Sequence, residues 1–99
     1  MNIVTLAECK ERLSIDFDTK DTDITIMANS IESYLFFATG LKFEYEIVLD
    51  GMDNILNLAK EYVLFKLYLD YYNAHTELDD RRLTAILKQL QVAALYEHS

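Results

Sequence analysis

The residues of this chain that could do chemistry are few: an acidic segment, DFDTKDTD at 16–23, the histidines His75 and His98, and the single cysteine Cys9. Carboxylates at alternate positions suit calcium, a hard cation that takes oxygen ligands. A calcium loop counted from Asp16 needs glycine at its sixth position and a bidentate Glu at its twelfth, and those places hold Asp21 and Met27. The segment therefore reads as a solvated loop ending in a helix cap. His75 and His98 are far apart, and neither stands at metal-ligand spacing from Cys9 or from a second His. His75 reads as a polar residue near a helix end, where partial positive charge is favoured. Cys9 falls on the apolar side of the first expected helix, as a small core residue. Two glycines, Gly40 and Gly51, could hardly build a phosphate loop, and no dinucleotide fingerprint or nucleophile elbow is present. No catalytic residue, cofactor or metal is expected, and the chain does not read as an enzyme.

The elements that would position such groups are helical. Thr5 and Glu8 fit a capping box, and Leu6, Cys9 and Leu13 line one side of a helix over about 6–13. In the acidic loop, Ile15 and Phe17 are expected to anchor against the core. Asp21 or Thr22 is the expected cap of a helix over about 22–39. Its apolar residues Ile24, Met27, Ala28, Ile31, Tyr34, Leu35 and Ala38 recur at three- and four-residue steps, and Gly40 ends it. The segment LKFEYEIVL, 41–49, predicts a short strand or extended arm, followed by a turn at DGMDN. Asp53 is the expected cap of a third helix running to about Asn73. Asp79 is the expected cap of a fourth that continues nearly to Tyr96, with Leu78 and Leu83 as a hydrophobic staple and Leu83, Ile86, Leu87, Leu90 and Ala94 on one face. The fold class is all-α: one small four-helix domain over 1–99, with a long central third helix and an irregular or short β arm between helices 2 and 3.

The third helix carries more apolar surface than one buried face needs. At 100° per residue it resolves into two stripes. Ile55, Leu58, Ala59, Tyr62, Phe65 and Leu69 form one, assigned to the core against the second helix. Leu64, Leu67, Tyr68 and Tyr71 form the other, with Tyr72 at its edge. Either the fourth helix covers this second stripe or another subunit does, because Tyr suits interfaces where one end of the ring stays wet. Leu64, Leu67, Tyr68, Tyr71 and Tyr72 are thus the candidate subunit interface.

Composition limits the remaining function classes. The 99 residues fit one domain. Proline is absent and 52% of the residues are hydrophobic, which argues against disorder. A lone cysteine forms no internal disulfide, and the N-terminus lacks the basic start and apolar run of a signal peptide, so a reducing cytoplasm is the expected place of synthesis. The apolar runs fall short of the roughly 20 residues that span a bilayer. The net charge is −8, with residues 1–40 holding 7 acids against 3 bases and the rest 10 against 6. Without a basic patch, tight nucleic-acid binding is not expected.

The order of features resembles a known family. Thr5-Leu6, Glu8, Lys10 and Leu13 open the chain, and Ile15, Asp16, Asp18 and Asp21 form its acidic loop. Thr39-Gly40 end a helix, a long aromatic helix follows, and ILKQL in the last helix ends on Gln89-Leu90. Together these resemble the head–tail connector proteins of tailed bacteriophages, grouped with phage DNA-packaging proteins named for a Q-L-R-G signature. Gln91 and Val92 depart from that signature, standing where Arg and Gly are typical.

The resemblance implies an adaptor located at the head–tail junction of the virion and assembled in the bacterial host cytoplasm. Its partners would be the portal protein, the next head-completion or tail protein, and its own copies in a homo-oligomeric ring of about a dozen. Double-stranded DNA would pass through without specific binding, and no membrane is involved. A C-terminal helix that reaches the portal makes Gln89, Gln91, Leu95 and Tyr96 candidate portal-facing residues. Two readings compete with this one: a small acidic helical binding module of the inhibitor or anti-repressor type, and a small metal-dependent enzyme.

Overall fold

A computed structural model describes residues 3–40 and 53–97, with backbone only at 53, 54 and 94–97. The expected arm at 41–49 lies outside the described residues. Among the described residues every regular element is a helix: α1 (Leu6–Leu13), α2 (Asp21–Thr39), α3 (Asp53–Tyr71) and α4 (Glu77–Glu97).

Local chemistry sets the ends. The Thr5 side chain accepts from the Glu8 N–H at 3.1 Å, and the Glu8 carboxylate accepts from the Thr5 N–H at 3.0 Å, so two free donors at the start of α1 are satisfied reciprocally. Helix α1 stops where Ser14 turns left-handed, at φ 60°. The Ile15 N–H then donates to the Lys10 carbonyl at 2.9 Å and the Ser14 N–H to that of Glu11 at 3.1 Å, satisfying carbonyls that the helix end would leave open. Ile15 is buried by this turn, whereas Phe17 stays half-exposed and does not anchor the loop as expected. Gly40 ends α2 at φ 75°, a conformation a Cβ would oppose.

Three boundaries differ from those expected. Lys20, with no side-chain cap bond, precedes α2, because the Asp21 carboxylate turns to Lys10 instead. Helix α3 ends at Tyr71, since Asn73 adopts φ 49° and the Ala74 N–H closes back on the Leu69 carbonyl at 2.9 Å. Helix α4 starts at Glu77, because Thr76 takes the capping role foreseen for Asp79: its hydroxyl oxygen accepts from the Asp79 N–H at 3.1 Å. Leu78 is consequently exposed and makes no staple, while Leu83 is buried. With α3 two residues shorter than expected and α4 starting earlier, α4 is the longest helix at 21 residues against 19 for α3.

Helix α3 also shares the centre. Both α2 and α3 pack against the other three helices, whereas no close backbone approach joins α1 to α4. The core runs between them through Leu13, Ile24, Leu35, Val63, Leu67 and Leu90, all fully buried. Each such side chain contributes about 1.5–3 kcal/mol by leaving water. The N-terminal segment is pinned on α2, where the Glu32 carboxylate accepts from the N–H groups of Ile3 and Val4, both at 3.2 Å.

Candidate subunit interface

The second stripe divides. Leu64 and Leu67 are buried inside the chain, and Tyr71 is half-buried against the same core, so the chain itself covers these three. Tyr68 and Tyr72 remain at the surface, 41% and 46% exposed. Their rings meet edge to face at 5.1 Å and 61°, and Tyr72 meets Tyr71 at 4.9 Å and 81°. Such geometry sets the positive edge of one ring against the negative face of another. The Tyr72 hydroxyl donates to the Leu13 carbonyl, one of the open acceptors at the end of α1.

Beside Tyr68 the surface is concave. Where α1 and α4 stand apart, Phe65, Tyr68 and Leu69 of α3 floor a groove of about 390 Å³, with Arg12 of α1 on one wall and Asp79 and Arg82 of α4 on the other. This face mixes the two expected stripes, taking Phe65 and Leu69 from the first and Tyr68 from the second. On a helix apolar almost all round, periodicity alone does not fix where one stripe ends.

The groove walls differ electrostatically. Arg12 donates twice to the Glu61 carboxylate, at 3.1 and 3.0 Å, so its charge is met within the chain. Arg82 makes no ion pair with any described residue. Asp79 on the same wall makes no ion pair among the described residues either, so the groove offers an aromatic floor with one unmatched guanidinium and one unmatched carboxylate beside it.

The other groups singled out in the sequence are engaged within the fold. Asp18 and Asp21 both face the Lys10 ammonium, at 2.8 and 2.9 Å, so a lysine occupies the place a cation would take in the acidic loop. The Asp21 oxygen involved is shut off from solvent and lacks a well-directed hydrogen bond, which makes this contact an ion pair. Cys9 is fully buried, and burial, aided by Glu32 and Glu8, pushes its thiol up to about 11. Burial likewise pushes the Tyr62 hydroxyl up to about 12.

His75 does more than sit near a helix end. Its Nε2 meets Asp70 at 2.5 Å and its Nδ1 meets Asp80 at 2.7 Å, so the imidazole bridges the last turn of α3 and the first turn of α4. Both nitrogens facing carboxylates require the doubly protonated ring. Asp70 first, then Asp80, raise the His75 pKa above its ordinary value.

On the C-terminal helix, Gln89 is exposed. Gln91 instead donates from Nε2 to the Ala38 carbonyl at 3.1 Å and so satisfies an open acceptor at the end of α2. The backbone of α4 carries Leu95 and Tyr96, whose side chains lie outside the described residues. No group of three or more His, Cys, Asp or Glu that could hold a metal occurs among the described residues, and none of their helices is long and apolar enough to cross a membrane. Comparison of the chain with protein-family models, with curated proteins and with solved structures gives no match.

Proposed function

We propose that this protein is a structural subunit of a phage head–tail connector, assembling copy against copy into a ring below the portal and presenting a platform to the next completion or tail protein. The observation that carries the reading is the distribution of large apolar side chains left at the surface. Tyr68 lies on α3 and Tyr72 just past its end, Phe17 in the loop before α2, Ile26 and Phe37 on α2, and Leu78 and Val92 on α4. A ring subunit offers one face to the neighbour on its left and a different one to the neighbour on its right, so unlike exposed faces are what it requires. The order of sequence motifs supplies the phage context, and the −8 charge suits a channel past which DNA phosphates slide without sticking.

In the alternative, an acidic inhibitor imitating DNA charge, carboxylates would need to be free and aligned. Most described acids are instead matched locally: Glu8 with Lys60, Glu61 with Arg12, Asp70 with Lys66, and Glu77 with Arg81. The test of the connector reading is mass spectrometry of purified virions from the phage or prophage that encodes the chain. Its presence in several copies per particle is expected, and its absence from infectious particles overturns the reading.

A further inference from the structure

Acids without a basic partner stand on two surfaces of the molecule. Among the described residues, Glu11, Asp16, Asp23 and Asp79 make no ion pair; the first three bracket the loop on which Phe17 is 50% exposed, and Asp79 stands on the groove wall with Arg82. Among the described residues the bases without a carboxylate are Lys20, Arg82 and Lys88, and of these Arg82 stands on the wall of the aromatic groove. One chain thus carries an exposed phenyl ring beside a free carboxylate, and also an aromatic-floored groove beside a free guanidinium. Phe17 is not among the residues lining its own chain's groove.

We propose that Phe17 of one copy seats on the Phe65, Tyr68 and Leu69 floor of the next copy, with Asp16 meeting Arg82 at the rim. This deepens the reading of the protein as an assembling subunit, and rests on it, by naming the contact between copies. Charge complementarity selects a second copy as the occupant. Two chains of charge −8 repel each other, so a contact between them is favoured where an unmatched acid meets an unmatched base. Arg82 and Asp79 border the floor as an unmatched base and an unmatched acid, and the loop that carries the exposed ring holds their opposites in Asp16 and Lys20. The groove, at about 390 Å³, is near the lower end of the range for small-ligand sites and has room for a phenyl side chain with its flanking backbone. Burying the ring edge-on to Tyr68 adds a favourable aromatic contact. The contact is heterologous, because donor loop and acceptor groove are different surfaces. Each added copy therefore exposes a fresh groove, and the chain of copies closes into a ring when the rotation per step divides the circle.

The test is analytical ultracentrifugation up to about millimolar concentration, where contacts as weak as ~4 kcal/mol are populated. Wild type is expected to form species larger than a dimer. Phe17→Ser and Arg82→Glu should each weaken association at least tenfold, and Asp16→Arg combined with Arg82→Glu should restore most of it. Circular dichroism should show all variants folded, since the altered side chains are exposed. The strongest arm mixes Phe17→Ser, which keeps a working groove, with Arg82→Glu, which keeps a working loop: the mixture should stop at a heterodimer. Variants that associate like wild type, a mixture that forms nothing, or wild type that stays monomeric or stops at a dimer would each overturn the contact. Incorporation of both variants into virions at wild-type copy number would sink the contact alone, whereas absence of the wild-type chain from virions would sink the connector reading.

Discussion

The hydroxyl of Tyr72, just past the end of α3, donates to the backbone carbonyl of Leu13 at the end of α1, 59 residues earlier in the chain. That bond holds an exposed ring in one orientation and closes an acceptor that the α1 terminus would leave to water. Tyr72→Phe should therefore lower stability by about 0.5–1.5 kcal/mol while leaving helix content unchanged. Urea denaturation followed by circular dichroism measures it. A variant as stable as wild type would mean that water replaces the tyrosine without cost.

The division of the stripe sets up a contrast between neighbours on α3. Leu67 is fully buried, and truncating it to Ala should cost about 2–5 kcal/mol through lost transfer energy and a residual cavity. Tyr68→Ser, at an exposed position, should cost less than about 1 kcal/mol. The combined change of Leu67 to Ser and Tyr71 to Lys should unfold the domain, because both positions pack into the chain's own core. Thermal melts of the three variants decide this, and a well-folded Leu67 and Tyr71 double variant would place that half of the stripe at the surface instead.

How much of this was legible in the sequence depends on the range of each interaction. The capping box of Thr5 and Glu8 spans three residues, and Gly40 marks its own helix end, so both are readable from spacing. Thr76 with Asp79 three residues on is the same kind of signal, and reading it would have placed the start of α4 correctly in place of Asp79. Asn73 is harder, because Asn tolerates the left-handed conformation without requiring it, so its presence alone does not fix the helix end. The groove was not legible at all. It exists because α1 and α4 stand apart over α3, and no local pattern encodes that gap, just as none encodes the Gln91 bond to the Ala38 carbonyl.

The His75 bridge predicts a pH dependence whose sign can be worked out. Its folded pKa is raised by Asp70 and Asp80, so its contribution is fully present below the ordinary value of 6.5 and is lost as pH rises through the higher folded value. Both carboxylates are partly solvated, which limits the effect to a few tenths of a kcal/mol, the scale of screened surface pairs. Wild type should lose that much stability above pH 6.5, and His75→Gln should flatten this part of the profile. Denaturation midpoints collected across neutral pH give the answer, and identical slopes for both chains would contradict the bridge.

Cys9 is closed off and its thiol is pushed up to about 11, so at pH 8 almost none of it is thiolate. Its reaction with a thiol reagent should be many times slower in the native protein than in denaturant. Stopped-flow labelling under both conditions checks this, and equal rates would mean that α1 opens readily from the core.

The central claim is that the apolar faces this chain leaves uncovered are there to meet its own copies on a portal. Native mass spectrometry of the purified protein mixed with the portal of the same phage tests it most directly. The account predicts a portal assembly carrying a full complement of this chain, with partly filled rings scarce because each added copy creates the site for the next. Free portal beside free monomer, at concentrations where both are folded, would contradict it.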